Sequence, residues 1–443
     1  MFLFLFACTQ PSTEDTSVST DAISSTYEFS NAQGESTVSY NGQILRHVLL
    51  HDLIDTIDTV DSALQTTVFV PDQVTQALYF YLDGVAELGD GVEHHIDQDL
   101  PITQTHYTDI DTGKNLLEKL AGNDSVTDHK DWTREFVGWQ GVNSPTELVQ
   151  LWIETIDRQA TDWSTIQSTV PHVYVTPEGW HLQELLEKFI LGSVAFSQGT
   201  DDYLHDDIED KGLLSSNIPT DDVYSPLQHA WDEGFGYFGA SRNYHAWTDA
   251  EIADSRYMDV DGNGEYDLLR EVNWGHSQNA GKRDNGAINS DITSLVWEGF
   301  VGGRTLLQNT SGRELTSEEY TQLQEYRDKA VLGWEMAISA TIIHYINACV
   351  QDAYTENPSL VDVAQHWSEM KGFALSLQFN PNSQISDANF VQLHAYMGQA
   401  PVIGTDTSKE EYIERLLMAK DILASNYPFA PENIGDVYGK NGW

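Results

Sequence analysis

The chain has 443 residues, 40% of them hydrophobic, which is ample material for a core and, as a soft prior, for two or three domains. Acidic residues number 69 against 22 basic ones, giving a formal net charge of −47. That balance argues against a nucleic-acid partner, which would have to be held by neutralising phosphates, and sets up a field that favours cations.

Residues Met1 to Cys8 form a short apolar run closing on Leu5-Phe6-Ala7-Cys8, which resembles the lipobox at which bacterial lipoprotein signals are cleaved. Cys8 is therefore the expected lipidation site and mature N-terminus. Each buried acyl methylene contributes about 0.8 kcal/mol, and anchoring becomes stable once more than one chain is attached. The run is too short to span a bilayer and lacks a positively charged n-region, so the signal over 1–8 is expected to be truncated at its start. The plainer alternative is a frayed apolar terminus. Residues 9–26, rich in Ser, Thr and Asp, read as a flexible tether to a body spanning 27–443. The expected location is the periplasm or cell surface, lipid-anchored to the outer membrane. Cys349, the only other cysteine, lies in an apolar stretch and reads as a buried small hydrophobe. A cysteine metal cluster is not available to such a chain.

Along the body the periodicity is mainly helical. Thr26–Phe29, Thr37–Tyr40 and His172–Val175 are short β-rich patches expected as small ribbons. From Gln43 to Leu64, apolar residues recur three and four apart, predicting one buried stripe. Ser144-Pro145-Thr-Glu147 carries a capping hydroxyl, a first-turn Pro and a returning Glu, so a helix through Asp157 should follow. Thr176-Pro177-Glu178 predicts a helix to about Ser197, and Thr316-Ser-Glu-Glu319 and Thr407-Ser-Lys-Glu410 have capping-box spacing. The stretch Thr316–Tyr354 would reach roughly 55–60 Å as one helix. Asp201-Asp202-Tyr-Leu-His-Asp206-Asp207 reads as a solvated acidic surface rather than a metal site. Between Phe238 and Asp284 the helical period is lost, which predicts a long ordered loop. The expected fold is all-α: two packed helical bundles, 27–240 and 285–443, joined by segment 241–284.

Three constellations carry chemistry. His229, Asp232 and Glu233 fall at i, i+3 and i+4, one face of a helix, where an imidazole beside carboxylates suits iron or another transition metal. Gly234, Gly236 and Gly239 predict close packing of this helix or its end. The plainer reading makes His229 a satisfied core histidine and pairs Glu233 with an Arg such as Arg242. His366 and Glu369 repeat the His-acid turn, and Trp231-x-Glu233-x-x-Gly236-Tyr237 matches Trp367-x-Glu369-x-x-Gly372-Phe373, hinting at a duplication that would bring two Glu-bearing helices together. Asp259-Val-Asp261-Gly-Asn263-Gly264-Glu265-Tyr-Asp267 follows the EF-hand loop through position 9, but position 12 is Arg270 and Glu271 comes one residue late. Bound Ca²⁺ is expected here as a staple for the long loop. His344 and Asn347 read as buried and hydrogen-bonded, and His94-His95 as a lone pair in a polar loop. No H-E-x-x-H, G-x-S-x-G or phosphate loop occurs.

Tyr27-Glu-Phe29, Gly42-Gln43, Arg46, Val173-Tyr-Val-Thr-Pro-Glu-Gly179, the His229–Gly239 segment, Lys282-Arg-Asp284 and Glu369-Met-Lys-Gly-Phe-Ala resemble an uncharacterised family of bacterial lipoproteins. That family is distantly similar to imelysin-like proteins, helical-bundle lipoproteins linked to iron acquisition. The imelysin G-x-H-x-x-E signature survives in its His-x-x-acid part at His229 with Asp232 and at His366 with Glu369, whereas Leu227 and Ala364 replace the Gly. The resemblance implies a non-catalytic, metal-associated protein whose partners are the membrane, through its lipid, and iron-uptake components. The alternatives are a metal-dependent hydrolase, with His229 as ligand and Glu233 as general base, and a surface adhesion or scaffold module.

Overall fold

The computed structural model describes residues 24–84, 91–124, 128–288, 290–403 and 408–443. About 56% of the chain is helical, and among the described residues only isolated β-bridges occur, so the fold is all-α. In chain order the helices are α1 (Asn41–Ala63), α2 (Gln73–Leu82), α3 (Tyr107–Ile110), α4 (Pro145–Thr161), α5 (Trp163–Ile166), α6 (Leu182–Ile190), α7 (Pro226–Phe238) and α8 (Asp249–Asp254). Then follow α9 (His276–Asp284), α10 (Ile292–Asn309), α11 (Ser317–Tyr354), α12 (Leu360–Ser376), α13 (Asp387–Met397), α14 (Ser408–Asn426) and α15 (Pro431–Ile434).

Cap chemistry sets several boundaries. The Ser144 hydroxyl accepts from the Glu147 amide with Pro145 in the first turn, and Thr316 and Glu319 exchange both bonds of a capping box. The box expected at Thr407–Glu410 begins outside the described residues. Thr176–Pro177 does not open a helix. The Thr176 amide donates to the Trp180 carbonyl and the Gly179 amide to the Thr176 carbonyl, closing a turn with Gly179 at a φ of +88°. The cap passes to His181, whose ring accepts from the Glu184 amide. The β-rich patches give only single bridges, Ser30 with Ser36 and Val175 with His181.

Beyond Ile190 the helix continues as two π-helical stretches, Leu191–Phe196 and Gln198–Tyr203. Such widened turns are uncommon and concentrate at functional sites. The 238–284 segment is less loop-like than its sequence predicts. A Thr248–Glu251 capping box starts α8, and α9 follows with seven of its nine residues buried. The α9 sequence is nearly all polar, so periodicity could not reveal it. Asp284 at its end accepts the amides of Ile292 and Thr293 at 2.8 and 2.7 Å and so starts α10.

The long helix α11 is the centre of the molecule, packing against α9, α10, α12 and α14, while α6 lies on α12 and α7 on α10. The two halves do not have separate cores: one cluster of buried side chains runs from Leu49 and Trp152 through Trp231 and Trp334 to Leu416. Helices α10 and α11 approach closely, so that a Cβ on Gly299 would stand 2.5 Å from the Ala330 nitrogen. At the start of the described chain the Ser24 carbonyl accepts from the Trp297 indole. Tyr27 stacks on Phe235 with ring centroids 3.8 Å apart.

Candidate functional site

Helix α7 exists because Ser225 and Gln228 form a capping box, Pro226 fills the first turn and Gly239 ends it at φ +84°. Its glycines admit neighbours as expected: a Cβ on Gly234 would meet Leu204 at 2.9 Å, and one on Gly236 would meet Tyr40 at 2.7 Å. The three residues grouped by spacing then separate. Asp232, 0% exposed, pairs with the equally buried Arg304 at 2.8 Å and also accepts from the Tyr27 hydroxyl and the Ser39 amide. Burial raises its pKa even against the pull of Arg304. Glu233 turns the other way and accepts from Gln43 at 2.9 Å. His229 presents Nδ1 to the Ser39 carbonyl at 3.1 Å, and its Nε2 lies 3.7 Å from Glu233. Arg242 goes to Glu28, not to Glu233.

His366 and Glu369 lie on α12 in different surroundings. His366 pairs with Asp352 at 2.8 Å, and that hydrogen bond raises its pKa. Glu369 accepts from the Tyr345 hydroxyl at 2.7 Å, in a crevice where Lys188 lies 3.0 Å from Glu184. Burial, then the charge of Glu184, push the Glu369 carboxyl up to about 7. The five residues expected to form one transition-metal site are therefore not brought together, and Asp232 is spent on a structural ion pair. Tyr345, Lys188 and Glu184 had no sequence signal beyond helical position. What the repeated motif does encode is packing. Trp231 and Trp367 each donate an indole N–H to a carbonyl, of Phe300 and Met397, and Gly372 admits Lys188 as Gly236 admits Tyr40.

The raised Glu369 pKa gives a pH test. In the fold its neutral form is favoured, so the associated stability is complete below the ordinary carboxyl pKa and is lost as pH rises toward about 7. Glu369→Gln should therefore lose less stability than wild type between pH 5 and 8 in denaturation midpoints; parallel curves would refute the shift.

The acidic loop expected to hold Ca²⁺ is better formed. Oxygens of Asp259, Asp261 and Glu271 all lie within 4.8 Å of one another, and among the described residues this is the one His, Cys, Asp and Glu group so arranged. Asp259 accepts from the amides of Asn263 and Gly264, and Asn263 Oδ1 from that of Glu265. Gly264 takes the left-handed φ of +85° that the sharp turn requires. Glu271 spans the loop, one oxygen accepting from the Val260 amide at 2.9 Å and the other from the Asp267 amide at 3.0 Å. Two of the six expected ligand side chains are engaged elsewhere: Glu265 with Thr103, and Asp267 with Gln104 and the Leu269 amide.

Glu233 and His229 also face a cavity of ≈350 Å³. Its other walls are Lys119, Asp124, the π-helical residues Asp201, Asp202 and Tyr203, and the 205–215 loop with Asp207, Asp210 and Lys211. The run from Asp201 is therefore not the solvated face that its charge suggests. Asp201 is 1% exposed, and its Oδ2 accepts from the backbone and ring nitrogens of His129 at 3.0 and 2.7 Å. Nearby, Asp128 is pushed up to about 7 by burial, then by Asp124 and Asp201.

Asn347 is a buried core residue, whereas His344 is half-buried with its Nδ1 unpartnered. Burial lowers His344 to about 4, and Asn347 bonds Ile434, Trp443 and Lys420. Cys349 is a buried free thiol. Cys8 and nearly all of the expected tether lie outside the described residues, and no described helix is long and apolar enough to cross a membrane.

Comparison with known families matches residues 140–266 to a family described as Domain of unknown function (DUF4856). The matched stretch contains α4, the π-helical segment, α7 and most of the acidic 259–267 loop. Neither the curated proteins nor the solved structures gave a match.

Proposed function

We propose that this chain is a calcium-stapled, lipid-anchored helical protein that acts by binding rather than by catalysis. The observation that carries the reading is the convergence of Asp259, Asp261 and Glu271 on a loop whose amides already fold around their carboxylates. Three carboxylates are the hard oxygen donors that Ca²⁺ takes. A cation there would offset the mutual repulsion of the three acids and tie the loop's first residue to its last. It would also steady the 101–104 segment, because the Tyr266 amide and carbonyl pair with Pro101 and Thr103.

Calorimetric titration of chelator-treated protein should show one Ca²⁺ per chain. A hundredfold excess over Kd would stabilise the fold by about 2.7 kcal/mol. Glu271→Gln should abolish both effects, and an unchanged titration in that variant would remove the site. Anchoring is tested separately. Labelled fatty acid should enter the wild-type protein in a bacterial host and not Cys8→Ala, which should leave the membrane fraction; equal labelling would end the lipid assignment.

A further inference from the structure

A second cavity, of ≈320 Å³, opens where α1 begins and has no part in the calcium reading. Its walls include Asn41, Gly42 and Arg46 of that helix together with Lys114, Lys119 and Tyr203. No side chain caps α1, no acid stands in its first turn, and the amides of Asn41 and Gly42 meet no acceptor among the described residues. Free amides at the start of a helix carry partial positive charge and bind anions.

Arg46 adds an independent demand for an anion. It is 6% exposed and lines the cavity, yet it forms no ion pair among the described residues. Its Nε and Nη1 donate to the Asn115 and Gly42 carbonyls at 2.8 and 3.3 Å, while Nη2 has no hydrogen-bond partner and is not sealed from water. A charge so withdrawn is expected to be paired. The guanidinium acts toward the cavity: burial, then Tyr237 and Glu233, raise the pKa of the wall residue Tyr203, and the charge of Arg46 opposes them. Lys114 meets the same place, since a Cβ on Gly42 would stand 2.9 Å from Lys114 Cε. A free helix start, a guanidinium without a counter-ion and an ammonium thus gather around Gly42.

The donor set narrows the class of anion. A phosphate monoester has three terminal oxygens, enough to take helix amides, a guanidinium and an ammonium at once, whereas a carboxylate has two. The two acids that line the cavity are already engaged: Glu233 accepts from Gln43 at 2.9 Å, and Asp111 accepts from the Thr112 amide at 2.6 Å with Lys114 at 4.0 Å. Lys119 is held by Asp124 at 3.3 Å and contributes only its field. At ≈320 Å³ the space falls at the lower end of the range of small-molecule sites, and the polar walls at Ser39, Asn41 and Glu233 suit hydroxyl groups rather than an apolar tail.

We propose that this cavity binds a small hydroxylated phosphate monoester, its phosphate held by the first amides of α1, Arg46 and Lys114.

The test titrates the full chain calorimetrically with glycerol 3-phosphate at about 0.15 M salt, so that long-range repulsion from the acidic surface is screened. Saturable binding of one molecule per chain is expected, with none for glycerol and weaker binding of succinate. Arg46→Gln and Lys114→Gln should each weaken it about tenfold or more, the loss expected for one charge-assisted hydrogen bond. Asn41→Asp places an acid in the first turn of α1, which favours the helix but repels the ligand, so binding should fall while thermal stability does not. Arg134→Gln, the same charge change on an exposed side chain outside the cavity, should leave binding intact. Circular dichroism checks each fold, and if Arg46→Gln does not fold, Lys114→Gln and Asn41→Asp carry the test. The proposal is overturned if no saturable binding is seen, if succinate binds as tightly, or if Arg134→Gln weakens binding as much as Lys114→Gln.

Discussion

Replacing Asp232 with Ala should cost about 3–5 kcal/mol of folding stability, the range for removing one partner of a buried ion pair. Arg304 is 0% exposed, so the variant strands a buried guanidinium with only Gln308 and Thr37 to receive its N–H groups. The Tyr27 hydroxyl and the Ser39 amide lose an acceptor at the same time. Denaturant midpoints measure the loss. The double variant Asp232→Ala, Arg304→Met should recover most of it, because two apolar groups leave no buried charge behind. A single variant within 1 kcal/mol of wild type would show that the pair is not desolvated as described.

The second large effect is expected at Gly299. A methyl there would meet the Ala330 nitrogen at 2.5 Å and its Cα at 2.8 Å, which is backbone and cannot rotate away. Gly299→Ala must push α10 off α11 along the most extensive helix pair in the molecule, with a cost of about 3 kcal/mol, at the upper end for overpacking. Thermal unfolding would report it. The same change at Gly34, with open space around it but a φ of +83°, should act only through backbone strain and cost less.

How far the sequence could be read depends on whether the cause was local. Hydroxyl, Pro and Glu at fixed offsets announce α4 and α11, and the glycines of α7 announce close neighbours, because caps and steric contacts are written in adjacent residues. In the acidic loop the sequence pattern groups Asp259 and Asp261, and the fold brings Glu271, one residue beyond the expected position, within 4.8 Å of both. What could not be read was direction. Asp232 and Glu233 are neighbours, yet a helix sends them some 100° apart, one to Arg304 and the other to the cavity. Spacing groups residues on a face but does not say what lies opposite. Likewise α9 buries a polar sequence, and Lys188 meets Glu369 only through tertiary packing.

The Tyr27 contacts set an order of events for the growing chain. Its phenol meets Asp232 across a separation of 205 residues, and the backbone beside it, at Thr37, meets Arg304 across 267. A local turn links Phe29 to Thr37, but the long-range partners of this leading stretch arrive only with α7 and α10. Closure of so long a loop comes late and slows folding. The first part of the body to be synthesised is thus among the last to settle, and whatever escorts the nascent polypeptide has to shield an aromatic segment, Tyr27 to Phe29, throughout that interval.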